Sequence, residues 1–174
     1  TLDQYQVARD AGLSEKEALD VVAKYSRDNA RTPMQWSACG HGGFTTGTPW
    51  LAVNENYREI NVEAQKADEN SVLSFYKELI ALRKHPEYKE ALVYGSLVPY
   101  RREQKNLMAY ERIGEDKTLL VLANYQKERQ SVPLNGKKYE VLLSNTAEWK
   151  KGEPAEGELD MSGFQLLVLK ECEK

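Results

Sequence analysis

Ser26-Arg27-Asp28-Asn29-Ala30-Arg31-Thr32-Pro33-Met34-Gln35-Trp36 is the most chemically dense stretch of the chain, and the remaining segments are best read outward from it. Two guanidiniums, a carboxylate and an amide stand just ahead of an indole. Arginine donates in a planar, bidentate fashion to carboxylates or vicinal hydroxyls, and tryptophan presents a broad apolar face of the kind on which sugar rings stack. The competing reading is internal: Asp28 pairs with one arginine, Trp36 fills a loop core, and the polar side chains serve their own backbone. Residue chemistry alone leaves both open.

Upstream, Leu13-Ser14-Glu15-Lys16-Glu17-Ala18 is a helix start, with Ser14 as N-cap and Glu17 closing a capping box. Downstream, residues 25–69 read as one long irregular segment holding Pro33, Pro49, the glycines from Gly40 to Gly43, Gly47 and two tryptophans. Such a loop is uncommon unless it is functional or supported by a neighbour. Trp36, Phe44, Trp50 and Tyr57 are too apolar for a disordered linker, so it is expected to pack on a surface that need not belong to this chain. A second helix is predicted from about Ser71 to Lys84, with Asn70 as N-cap. Val72, Phe75, Tyr76, Leu79, Ile80 and Arg83 fall on one stripe, which predicts a single buried face. Pro86 ends the helix.

From Ala91 the pattern changes to short β-rich runs: 91–98, 106–112, 117–125, 130–134, 138–143 and 164–170. Turn signals around Gly114, at Asn135-Gly136 and at Ser162-Gly163 separate them. Six strands without intervening helices predict an antiparallel sandwich or barrel.

Composition narrows the function classes. The chain has 174 residues, 41% hydrophobic and 29% charged, with a formal net charge of −3, ordinary for a globular protein with a core. A pI near 5.6 provides no basic footprint for nucleic acid, and no apolar run approaches the roughly 20 residues of a membrane span. Cys39 and Cys172 read as reduced thiols of a cytosolic-type protein. His41 and His85 stand apart, and no ligand grouping for a metal is visible. The acidic residues Glu15, Glu17, Asp68, Glu69, Glu153, Glu156 and Glu158 read as a solvated surface. Neither a nucleophile elbow nor a P-loop is present, and Ser26 and Cys39 lack a histidine partner. The chain opens at Thr1 without an initiator Met or a signal segment, which suggests that it is cut from something longer.

The segment Ser26–Trp36, with Gly43-Phe44-Thr45-Thr46-Gly47-Thr48-Pro49-Trp50 and Asn56-Tyr57-Arg58-Glu59-Ile60-Asn61-Val62, resembles the α-amylase superfamily of glycoside hydrolases. Within it, the block is similar to the oligo-1,6-glucosidase and dextran glucosidase branch, which also holds trehalose-6-phosphate hydrolases and sucrose isomerases. The helix from Ser71 to Lys84 resembles the last helix of that family's (β/α)₈ barrel. Val93-Tyr94-Gly95 and Asn106-Leu107-Met108-Ala109-Tyr110 resemble the start of its C-terminal β-domain. The likeness is densest from Ser26 to Tyr110, weak after Asn145, and poor over Leu2–Asp10.

The resemblance implies an α+β fold class: an N-terminal helix-loop-helix remnant of a (β/α)₈ barrel in residues 1–87, then an antiparallel β-sandwich C-terminal domain in residues 88–174. A whole barrel needs about 250 residues, and no segment matches the family's nucleophile, general acid or transition-state-stabilising Asp. The implied parent is a cytoplasmic, retaining exo-α-glucosidase acting on α-1,6 or related bonds of oligosaccharides, without cofactor or metal. The chain by itself is then expected to hold no catalytic residue and to be inactive. By the same likeness Arg27 is substrate-binding, at the terminal glucose, while Asp28 and Arg31 brace the loop. Trp36 and Trp50 are assigned to loop packing. The alternatives are a non-catalytic carbohydrate-binding module that presents Trp36, Trp50 or Trp149 as a platform, and a purely structural domain; the parent could equally be a trehalose-6-phosphate hydrolase or a sucrose isomerase. Oligomeric state is left open.

Overall fold

A computed structural model describes residues 2–172 and divides them into two compact units, one reaching to Glu69 and the other starting at Asn70. In the first unit, helices α1 (Leu2–Asp10) and α2 (Glu15–Lys24) bury Ala8 and Ala18. The capping box forms as its residues dictate. The Glu17 N–H donates to Ser14 Oγ at 3.3 Å, and the Ser14 N–H donates to Glu17 Oε2 at 2.8 Å. The Ser14 hydroxyl, which donates to Glu17 Oε2 at 2.6 Å, and after it the Ser14 N–H hold the Glu17 carboxyl below its ordinary range.

The segment read as irregular contains three short 3₁₀ turns and one helix that periodicity did not reveal, α3 (Val62–Ala67). Backbone bonds knit its ends together: Val62 N–H to the Gln35 carbonyl at 2.9 Å and Glu63 N–H to that of Trp36 at 3.0 Å. Gln35 Nε2 adds a 2.6 Å bond to the Ile60 carbonyl. Gly42, at φ +66°, accepts from both Trp36 and Ser37, and a Cβ there would meet Val53 Cγ1 at 3.3 Å. Backbone bonds between its ends hold this long loop together.

The second unit opens with α4 (Val72–Lys84), capped by Ser71 and not by Asn70. Its predicted buried stripe is only half right. Phe75, Leu79 and Leu82 pack on the sheet, whereas Val72, Tyr76 and Ile80 remain 67%, 58% and 48% exposed. The apolar stripe is wider than the face one sheet can cover. The helix consequently groups with the strands, and not with residues 2–69.

The sheet has six antiparallel strands in the order β1-β2-β3-β6-β4-β5. They are β1 (Ser96–Pro99), β2 (Leu107–Ile113), β3 (Thr118–Asn124), β4 (Gln130–Ser144), β5 (Pro154–Met161) and β6 (Leu166–Glu171). Central strand β3 is buried on both faces, as its continuous apolar run requires. Leu120, Leu122, Leu167 and Leu169 face one cluster with Val132, Leu134 and Tyr139. On the other face, Leu119, Val121 and Val168 meet Tyr88, Ala91 and α4.

Three details depart from the strand reading. The run at 91–98 starts as a π-type turn (Glu90–Tyr94), and pairing begins only at Ser96. Asn135-Gly136 is not a hairpin turn: both residues have positive φ, but they form a bulge inside one long strand, and the segments on either side pair with β5. Before the bulge, Tyr100 Oη and Gln104 Nε2 donate to the carbonyls of Pro133 and Ser131, tying the segment after β1 to the first half of β4. Finally, β5 has no counterpart among the predicted runs, because Glu156, Glu158 and Asp160 dominate its composition while Ala155, Leu159 and Met161 point inward.

Candidate functional site

The Ser26–Trp36 block begins where α2 ends. Ser26 Oγ accepts from the Asp28 N–H at 3.2 Å and so starts the 3₁₀ turn Arg27–Ala30. Asn29 anchors the turn backward: its Nδ2 donates to the carbonyls of Ala23 at 2.9 Å and Lys24 at 3.3 Å in the last turn of the helix, where the Ala23 carbonyl also accepts from the Ser26 N–H. Nothing in the sequence pattern singled out Asn29, since its role depends on where the helix stops.

The two arginines are in different states. Arg31 Nη1 lies 3.8 Å from Asp28 Oδ1. Arg27 is exposed and makes no hydrogen bond or ion pair among the described residues. One guanidinium is thus engaged within the loop, and the other is available to a ligand.

The tryptophans do not pack as expected. Trp36 is 50% and Trp50 86% exposed, with Phe44 and Met34 near half exposed. The buried positions of the loop are Pro33, Gly42 and Asn61, and none of its aromatic side chains is among them. Trp149, by contrast, is partly buried against the sheet core in the second unit. Trp36 and Trp50 belong to the first compact unit and Trp149 to the second. Cys39 and Cys172 are free, exposed thiols. Among the described residues, no group of three His, Cys, Asp or Glu side chains stands where it could hold a metal ion. No described helix is long and apolar enough to cross a membrane.

A family model for the catalytic domain of alpha-amylase matches residues 2–95, and one for the C-terminal domain of the alpha-amylase SusG matches residues 107–168. The chain belongs to the α-amylase family of glycoside hydrolases. Both matches reach beyond the motifs that carried the resemblance, taking in the opening helix and the strands after Asn145. An oligo-1,6-glucosidase of Halalkalibacterium halodurans is 43% identical over 125 residues, covering 72% of this chain and 22% of its own length. A trehalose-6-phosphate hydrolase of Bacillus subtilis is 38% identical over 151 residues, with 83% and 26% covered. The crystal structure of the trehalose-6-phosphate hydrolase of Bacillus licheniformis superposes with a TM-score of 0.85 at 31% identity, covering 99% of this chain and 31% of that one. The chain spans about a quarter of the length of these curated relatives.

Proposed function

We propose that this chain is the C-terminal part of a retaining exo-α-glucosidase that hydrolyses α-1,6 or related bonds of oligosaccharides. In this reading residues 1–87 end the catalytic barrel and residues 88–174 form its β-domain. The nucleophile and the acid/base carboxylate of such an enzyme stand about 5–5.5 Å apart across the scissile bond. Both would lie on segments outside these residues, and Arg27 would close the pocket at the terminal glucose. Asp28, through its pair with Arg31, and Asn29, through α2, would hold the turn so that Arg27 keeps its place.

The observation that carries this reading is the contrast between the two arginines. Among the described residues the exposed Arg27 guanidinium has no partner and can meet a ligand, while Arg31 lies 3.8 Å from Asp28. The oligo-1,6-glucosidase relative favours the α-1,6 linkage, and the trehalose-6-phosphate hydrolases carry the second reading of the substrate. Two exposed, unpaired thiols support a reducing, cytoplasmic setting.

Steady-state kinetics of the complete enzyme on isomaltose test the assignment. A charge-assisted hydrogen bond contributes about 1.5–3 kcal/mol, so Arg27→Ala should lower kcat/KM roughly 10- to 150-fold. Arg31→Ala should act more weakly and mainly through stability. An Arg27→Ala enzyme with unchanged kcat/KM would remove Arg27 from the pocket.

A further inference from the structure

The second unit contains a cleft that the reading above leaves without a role. It encloses about 640 Å³, within the range of ligand sites. Glu78, His85 and Glu87 line it from α4 and the turn that follows; Leu142, Trp149 and Lys151 line it from β4 and the next loop.

Its hydrogen-bonding groups are largely uncommitted. Among the described residues Glu78 and Lys151 have no ion pair, and the Trp149 indole N–H has no acceptor. His85 Nδ1 accepts from the Glu87 N–H at 3.3 Å, which leaves the proton of the neutral ring on Nε2. Glu87 is already balanced by Lys117 at 3.3 Å. Two aromatic elements are held rigidly: Trp149 against the core, and His85 stacked on Tyr88 with centroids 5.1 Å apart. A rigid ring face flanked by one free carboxylate, one free ammonium and two N–H donors matches a neutral polyhydroxyl ring. A site for an anion or a cation would show an excess of one charge.

Helical geometry sets the cleft apart from the uncovered apolar row of α4. At about 100° per residue, Glu78, Ala81 and His85 lie on one flank of α4. The uncovered apolar row Val72, Tyr76 and Ile80 lies on the opposite flank.

We propose that this cleft is a non-catalytic saccharide-binding site for a short neutral oligosaccharide, with Trp149 as the stacking face and Glu78, His85 and Lys151 as its hydrogen-bonding groups. It is independent of Arg27, which belongs to the other compact unit.

Titration of the 174-residue chain with isomaltotriose or maltotriose, followed by ¹H–¹⁵N NMR, tests it. The Trp149 indole resonance and the amides of His85 and Lys151 should shift together and saturate, with a Kd on the order of 1–10 mM. Because Trp149 also packs on the core, the discriminating variant is the exposed pair Glu78→Ala with Lys151→Ala, which should weaken binding at least about tenfold and leave the rest of the spectrum unchanged. Three results would overturn the proposal: no saturable shift at Trp149, shifts confined to Trp36 and Trp50, or binding unaffected by the double variant.

Discussion

Asn61→Ala offers a sharp test of how the long loop is held. Asn61 is only 4% exposed and serves two segments at once. Its Oδ1 accepts from the Ala64 N–H at 2.9 Å and caps α3, and its Nδ2 donates to the Tyr57 carbonyl at 2.9 Å. Losing the cap costs about 1 kcal/mol, and losing the second bond costs about 1 kcal/mol more. Together they amount to about 2 kcal/mol, or close to a 30-fold increase in local opening. Hydrogen exchange read by mass spectrometry should show that loss of protection over residues 56–67, with the sheet unit unchanged. Asn61→Asp keeps the cap acceptor, gains favourable charge at the helix N-terminus and loses only the donor, so it should show about half the effect in free energy. Equal losses for Ala and Asp, or unaltered protection in both, would refute the assignment of two separate bonds to this side chain.

Two further outcomes concern the sheet. Lys137 Nζ lies 2.9 Å from both Glu111 and Glu171. Burial opposes its charge, but the bonds to Glu171 and Glu111 outweigh that and raise its pKa above the ordinary 10.5. The contribution is therefore full below about pH 10.5 and is lost as pH rises through the raised value; urea midpoints measured against pH should fall there in the wild type and much less in Lys137→Met. At Gly95 an added Cβ would meet the carbonyl oxygens of Ala91 and Ile113 at 2.5 and 2.6 Å, both backbone. Gly95→Ala should thus cost about 2 kcal/mol or more, whereas Gly136→Ala, in open space at φ +74°, should cost only about 1 kcal/mol of backbone strain; thermal melts of the two variants give the comparison.

The parts legible from sequence were those determined by local chemistry. The Ser14–Glu17 box, the apolar run of β3 and the end of α4 before Pro86 follow from residues within one or two turns of each other. Features that depend on distant partners were not legible. Asn135-Gly136 has the residues of a hairpin turn, and only β5, pairing with both flanks, makes it a bulge. The acidic outer face of β5 hid its inward row, and the apolar row of α4 gave no sign of which half the sheet would take. In the candidate site, the Arg31–Asp28 pair was foreseeable from spacing, but the closure of the loop was not, since it rests on hydrogen bonds between residues 25 or more apart. The cleft at Trp149 joins residues more than 60 positions apart and leaves no local signature.

The central claim is that this chain carries a substrate-binding element of a glucosidase but none of its reacting carboxylates. The most direct measurement is turnover of isomaltose and p-nitrophenyl α-glucoside by the isolated 174-residue chain, with its fold verified by circular dichroism. The account predicts no glucose release above the uncatalysed background. Saturable turnover that survives repurification would contradict it, and would require a pair of catalytic carboxylates within these residues.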